Sequence, residues 1–496
     1  MKGVFRIIRP GHLLFALIGV MAACLLVLRI LLAGSYLPET GGVSINVMYG
    51  IIRMLEGSFL YTHPEMPPFP IIQYMPLHFY LVKSLVQLSG NSHDVHAVLI
   101  TSRFFCLLID CLSVVLIART LIRFLSLPTL TAWSMALIYF LSIPGIIYGR
   151  VDNLYLFFFL ATISLLIKSY TFPEGRIMKW LPGAFLAGAI TALAIATKQT
   201  GVFLAAYCFI HYLFIEKSTR QWLLYAVGLL ACSVLLALWI LPGSIPDFKL
   251  NVVDGVKNGI NVNWFTEVIL KNFFLKFSYI LAAGFMVAYL LFKDKRTTLH
   301  TFLGFGIAWY FVIATLTSFK AGSGPNYYLE FIALSIFGLA LLLRQETYLN
   351  GNSVLFALAL SPFFLLAAAN DKGWGDIGLM KKAKADYAHA RQVAAYVLPE
   401  LKTGEWILTD FHKESTLNLH LADRALFPCR EVALYFTRPL GVFHFDAFGQ
   451  LVQNGRIPFI IEKKNKPLQE FLDVSLNKYE ADTTIGNYTV YRRSTK

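Results

Sequence analysis

Apolar runs of about twenty residues, separated by short polar breaks, occupy the chain up to roughly residue 369. A helix that crosses a bilayer needs about twenty mostly apolar residues. That rule marks eleven candidate spans: 12–33, 98–122, 129–148, 152–169, 180–197, 199–215, 221–241, 273–292, 301–318, 327–344 and 352–369. The segment 77–89 (LHFYLVKSLVQLS) is too short to cross and carries Lys83 in mid-run, so it reads as a helix lying at the interface. A short amphipathic stretch, 45–56, precedes it.

Alternate breaks between the spans differ in charge. With the N-terminus placed in the cytoplasm, the inner loops hold Arg119 and Arg123, Lys168, Arg176 and Lys179, Lys217 and Arg220, Lys293, Lys295 and Arg296, and Arg344. Every inner loop then satisfies the positive-inside rule. The polar loops that are not merely basic fall on the outer side: the first loop (34–97), RVDN at 150–153, TKQT at 197–200, residues 242–272, and FKAGSGPNYYLE at 319–330. The first apolar run follows a basic start and shows no small-residue cleavage site, so it reads as a retained anchor.

From about residue 370 the pattern changes to that of a soluble domain. A helix at 381–398, apolar strands at 406–409, 458–462 and 488–492, and a second helix at 466–476 give an α/β reading. The expected architecture is a polytopic α-helical membrane domain, residues 1–369, followed by an extracytoplasmic α/β domain, residues 370–496. No internal repeat or low-complexity stretch is present.

Composition supports this division. The chain is 57% hydrophobic and 15% charged, far from the balance of a soluble domain. Its net charge of +14 is spread over short clusters beside apolar runs and forms no basic face with interleaved aromatics, which argues against nucleic acid as a partner. Five of the six cysteines lie inside apolar segments and only Cys429 lies in a polar one, so no disulfide framework is expected. The eleven histidines are dispersed with no metal-ligand spacing, and no Walker-type phosphate loop occurs. No cofactor is expected, with a divalent cation left open.

The polar residues that could do chemistry lie in the outer loops. Glu39 follows the first span by six residues, just after Pro38, where an ionised acid could accept a proton; a solvated loop acid is the plainer reading. Glu56 and Glu65 are rivals in the same loop. Arg150 and Asp152 stand at the mouth of a span, where charge is costly unless paired or functional; an ion pair fixing helix ends competes with an Arg150 fork on a phosphate. Lys198 could contact a lipid phosphate or simply snorkel to the interface. In the 319–330 segment Lys320 precedes Gly322 and Gly324, whose backbone could approach an anion. Asn326, Tyr327 and Tyr328 follow, suited to sugar hydroxyls and ring faces or to a plain interfacial hairpin. Asp110 is the one acid noted deep within a span.

In combination these stretches resemble the C-superfamily integral-membrane glycosyltransferases, in particular the protein O-mannosyltransferase and aminoarabinose transferase group. The resemblance covers residues 1–369 and rests on Glu39 after the first helix, EGSFLY…PPF…YMPLHFYL at 56–81, Arg103, GRVDNLYLFFFLA at 149–161, ATKQTG at 196–201 and KAGSGPNYYLE at 320–330. It implies a polyprenyl-phosphate-linked sugar as donor, no nucleotide sugar, and a glycan, lipid or protein as acceptor, in a bacterial inner membrane. Carried over, Glu39 is the general base and Asp152 a second acid of the site. Arg150, Lys198 and Lys320 become the donor-phosphate contacts, and Tyr74, Asn326, Tyr327 and Tyr328 the sugar or acceptor contacts. Many relatives carry Asp or an Asp-Glu pair at the first acid, where this chain has Pro38-Glu39-Thr40. A flippase for a lipid-linked sugar is the alternative and calls for polar residues at mid-membrane depth; a non-catalytic scaffold would need no cluster of acids and lysines on one face.

Overall fold

A computed structural model describes residues 10–37, 43–90, 94–143, 149–171, 183–240, 245–275, 277–294, 297–344, 377–410, 416–429, 431–464 and 476–494. The membrane part contains α1 (Pro10–Ala33), α2 (Val43–Leu55), α3 (Leu77–Leu88), α4 (Val95–Arg123), α5 (Thr129–Ser142), α6 (Val151–Thr171) and α7 (Gly183–Thr197). Next come α8 (Gly201–Ile210), continued by a π turn over His211–Ile215, α9 (Thr219–Ile240), the short α10 (Ile245–Lys249) and α11 (Val262–Trp264), α12 (Ser278–Asp294), α13 (Thr298–Ser318) and α14 (Leu329–Arg344).

A helix thus stands at each expected span from the first to the tenth, while 352–369 lies outside the described residues. Length decides how many can cross unaided. Among the described residues six helices are long and apolar enough, and a seventh crossing results if the bent pair Val262–Phe274 and Ser278–Asp294 is one span. The expected count of eleven is not confirmed: over the described residues α5, α7 and α8 with its π turn are shorter apolar helices, which at about 1.5 Å of rise per residue span less than a hydrocarbon core about 30 Å thick. The same arithmetic keeps α3, with 12 residues, from crossing. α1, α4 and α9 leave Val27, Leu108, Leu235 and Leu238 exposed, as expected where lipid is the solvent. α7 and α9 cross at Gly188 and Gly228, where a Cβ on either would collide with the other helix's carbonyl at Tyr225 or Phe185.

The C-terminal part has α15 (Met380–Val397), β1 (Ile407–Asp410), α16 (Leu417–Leu421), β2 (Ala425–Leu426), α17 (Asp446–Gln453), β3 (Phe459–Lys463), β4 (Tyr479–Ile485) and β5 (Tyr488–Arg493). The strands form one mixed sheet in the order β2-β1-β3-β5-β4, parallel across β2-β1-β3 and antiparallel across β3-β5-β4. Successive strand residues face opposite sides. Ile407, Phe459 and Ile461 accordingly pack with Ala390, Val393 and Val397 of α15, whereas Leu408, Leu426 and Ile460 pack on the other face with Phe69 and Ile71. The first long loop of the membrane part therefore completes the core of the C-terminal sheet. The expected helix at 466–476 falls outside the described residues up to 475.

The seam is also polar. Asp423, just after α16, accepts hydrogen bonds from Tyr49 Oη (2.5 Å), Ser58 Oγ (2.9 Å) and Arg53 Nη2 (3.3 Å). Phe427 N donates to the Pro68 carbonyl at 2.9 Å. The helices and loops of residues 43–76 are held from both sides.

Candidate functional site

Three turns that are far apart in sequence converge at one end of the helix bundle. Gly149 opens the first of them with φ +75°, a left-handed geometry that suits glycine, and a side chain there would meet Ser102 and Met48. The turn delivers Asp152 into the first turn of α6. The Asp152 carboxylate Oδ1 accepts a bond from Lys198 Nζ at 2.6 Å, at the end of α7, and another from Asn326 Nδ2 at 2.9 Å, just before α14. Both charged partners are buried, so Lys198 does not snorkel to the interface. Its ammonium also lies 5.1 Å from the centre of the Tyr327 ring and 5.7 Å from that of Tyr155, within cation–π range. Burial works against its charge, but Asp152, Tyr327 and Glu330 outweigh it and hold its pKa above the ordinary lysine value.

Lys320 stands beside this pair on the turn after α13. It has no acidic partner among the described residues. Burial, and then the neighbouring Lys198 charge, push its pKa down to about 8. The turn is held by its own backbone: Ile260 and Lys320 form an isolated antiparallel bridge, Asn258 Nδ2 donates to the Ala321 carbonyl at 3.1 Å, and Trp264 Nε1 donates to that of Ser323 at 2.9 Å. Gln73 donates to the Gly255 carbonyl and to Asn258 Oδ1, and Gln199 to the carbonyls of Gln73 and Val252. Tyr74, half-buried, follows Gln73 directly in this network, with its carbonyl accepting from Tyr61 Oη at 2.7 Å.

The remaining expected residues separate. Arg150 lies close enough to act on the Asp152 charge. Tyr328 is set apart from the others: its ring is fully buried among Phe273, Phe274 and Phe311, with its hydroxyl toward Thr315. Glu39 lies outside the described residues. The chain leading to it is fixed, since the buried Arg103 guanidinium donates to the carbonyls of Ser35 (2.7 Å) and Leu37. Of the rivals, Glu56 is exposed, and Glu65 accepts from the backbone of His444 at 2.7 Å.

Two site residues went unread in the sequence. Glu330, buried in the first turn of α14, is within electrostatic reach of Lys198 and beside Tyr155; its place three residues after Tyr327, on the same helical face, was the available signal. His78 is buried in the first turn of α3 within electrostatic reach of Asp152. A third feature lies deeper. Asp110 is paired with Arg29 at 3.6 Å; Arg29 also donates to the Ile143 carbonyl at 2.7 Å, and Asn153 Nδ2 donates to Asp110 at 2.8 Å. Among the described residues, no three His, Cys, Asp or Glu side chains gather as a metal set.

This arrangement of helices, turns and C-terminal sheet has counterparts among solved structures. The chain matches ArnT from Cupriavidus metallidurans bound to undecaprenyl phosphate with a TM-score of 0.58 and 13% identity, over 97% of this chain and 98% of that one. The apo state of the same protein gives a TM-score of 0.62 at 13% identity, over 96% and 97%. The oligosaccharyltransferase of Archaeoglobus fulgidus in complex with zinc and sulfate gives 0.57 at 12% identity, over 91% of this chain and 68% of that one. No family profile matches the chain, and neither does any curated protein sequence. The fold is thus shared with these two proteins, ArnT and the oligosaccharyltransferase. Within it, the likeness to ArnT runs the whole length of both chains, C-terminal sheet included.

Proposed function

We propose that the protein is a membrane glycosyltransferase that moves a sugar from a polyprenyl-phosphate carrier to an acceptor on the outer face of a bacterial inner membrane, with its N-terminus cytoplasmic and residues 370–496 outside. The observation that carries this reading is the surplus of cations at the Asp152 site. Lys198 is matched by Asp152, whereas Lys320 has no acid among the described residues, in a fold shared with a protein solved on undecaprenyl phosphate.

The chemistry follows from that placement. Lys198, Lys320 and Arg150 hold the phosphate, Asn326 and the Tyr327 ring border the sugar, and Tyr74 borders the acceptor side. The bond from the anomeric carbon to the phosphate oxygen breaks, and its electrons leave on the phosphate. Cations fixed beforehand at that point favour the developing charge without reorganising. The acceptor oxygen bonds to the anomeric carbon, and Glu39 removes its proton. Asp152 holds Lys198 in position.

A flippase reading called for charge at mid-membrane depth. Such charge exists, but Arg29 and Asp110 are paired with each other and bonded to Ile143 and Asn153 in full burial, which fixes helices and opens no path. The test is transfer from a panel of undecaprenyl-phosphate-linked pentoses and hexoses by purified protein, followed as release of undecaprenyl phosphate. Wild type releasing it, with Glu39→Gln silent, supports the reading. Full release by Glu39→Gln overturns the assigned base, and lipid movement without sugar transfer favours the flippase.

A further inference from the structure

His78 is buried in the first turn of α3 with no accessible surface, and among the described residues neither Nδ1 nor Nε2 has a hydrogen-bond partner. A buried polar group left unpaired is costly, and a ring with both nitrogens unpaired is uncommon enough to need a reason. Its surroundings are apolar: Phe105 of α4 lies 5.7 Å away, centre to centre, and Phe79 lies on its own helix. The charged group that acts on it among the described residues is Asp152 of α6. Asp152 in turn is within reach of Lys198, Asn326 and Arg150.

Burial pushes the His78 pKa down to about 4, against the opposite pull of Asp152, and the ring also sits at the positive end of a helix. At neutral pH it is uncharged while Lys198 neutralises Asp152. A phosphate anion entering the site competes for Lys198 and Arg150, the cations that hold Asp152. A buried carboxylate stripped of its cations is strongly unfavourable. Among the described residues Cys106, Tyr327, Glu330 and His78 also lie within electrostatic reach of Asp152, and of these His78 is the one that becomes a cation on taking a proton.

We infer that His78 is a proton-coupled positioning residue: when a phosphate draws Lys198 and Arg150 off Asp152, the His78 imidazole takes a proton from solvent and becomes the cation that balances Asp152. One of its vacant nitrogens accepts that proton, and no bond to the ligand forms or breaks. When the phosphate leaves, the proton returns to solvent and Lys198 returns to Asp152. Ligand binding and proton uptake are thereby linked, so affinity for the phosphate falls as pH rises through the bound-state pKa of His78. The inference rests on the proposed phosphate site at Lys198 and Lys320.

The test is calorimetric titration of the full-length protein in detergent with undecaprenyl phosphate, run in two buffers of different ionisation enthalpy so that protons taken up per site can be counted. His78→Gln keeps a polar side chain, and His78→Phe keeps an aromatic volume if the first variant folds poorly. Wild type should take up more protons than either variant below about pH 7, and its affinity should change with pH by up to about tenfold per unit more steeply than theirs. Equal proton counts in wild type and variants would overturn the role of His78 while leaving the phosphate site standing. No binding of undecaprenyl phosphate to any of them would overturn the phosphate site, and this inference with it. Inorganic phosphate as a second titrant separates the sources: the same proton difference with it shows that the headgroup alone triggers the step, and a difference confined to the lipid shows that the polyprenyl chain must be seated first.

Discussion

Consecutive residues of α6 reach two different buried ion pairs: Asn153 touches the Arg29–Asp110 pair, and Asp152 belongs to the Lys198 pair. The deeper pair is closed. Among the described residues one cation meets one anion, with the Ile143 carbonyl, the Phe140 ring face at 4.4 Å and Asn153 as further contacts. The shallower pair is open: Lys198 and Asp152 lie beside a further lysine with no acid partner among the described residues, a further arginine and a further buried carboxylate at Glu330. Both pairs bear the desolvation cost of charge in an apolar medium. A matched pair explains itself by joining helices, whereas a cation with no acid partner among the described residues fits the phosphate proposed for this site.

The largest effect that could break this contrast is at the deeper pair. Asp110→Leu takes away the carboxylate 3.6 Å from the buried Arg29 and should cost about 3–5 kcal/mol, read as a fall in thermal stability in detergent. The double variant Arg29→Met with Asp110→Leu should recover most of that loss and retain sugar transfer. A double variant that folds but transfers nothing would give the deeper pair a part in the chemistry.

Next in size, Asp152→Asn keeps the shape but removes the charge that holds Lys198. Transfer should fall on the order of 10²-fold, as for loss of one preorganised electrostatic group, in protein that still folds. A smaller effect is expected with pH. Lys320 is charged below about 8 and neutral above it, so affinity for a lipid phosphate should weaken as pH rises through that value, by up to about tenfold per unit. Titrations from pH 7 to pH 9 check the slope, and Lys320→Met should flatten it. At the bottom of the scale, Tyr328→Phe removes one 3.3 Å bond to Thr315 and should change stability by less than about 1 kcal/mol, with transfer unaltered.

Much of this organisation was legible because hydrophobic length and loop charge are local signals. The helices of the first ten expected spans, the short helix α3, and the meeting of the RVDN, TKQT and KAGSGPNYYLE turns could all be read that way. Pairings made in three dimensions could not. Arg29 sits inside an apolar run and gives no hint of Asp110, 81 residues on. Glu330 and His78 pass as ordinary members of helices. Strand β4 escaped because it is a mostly exposed edge strand, YEADTTI, with no apolar alternation. Phe69 and Ile71 looked like loop residues although they fill the C-terminal sheet, since nothing in a Pro-rich stretch says which distant core it enters. The burial of Tyr328 was not legible because tyrosine suits sugar contact, interface and core alike.

The central claim, that the unmatched cation at the mouth of the bundle is there for a phosphate, meets its most direct test in one variant. Lys320→Met removes a charge that burial disfavours and for which no acid partner is described. Thermal stability and undecaprenyl phosphate affinity should be measured on the same preparation. The account predicts stability equal to or above wild type together with affinity weakened by about tenfold, the worth of roughly one charge-assisted contact. Lower stability with unchanged affinity would contradict it, and would make Lys320 a structural residue like Arg29.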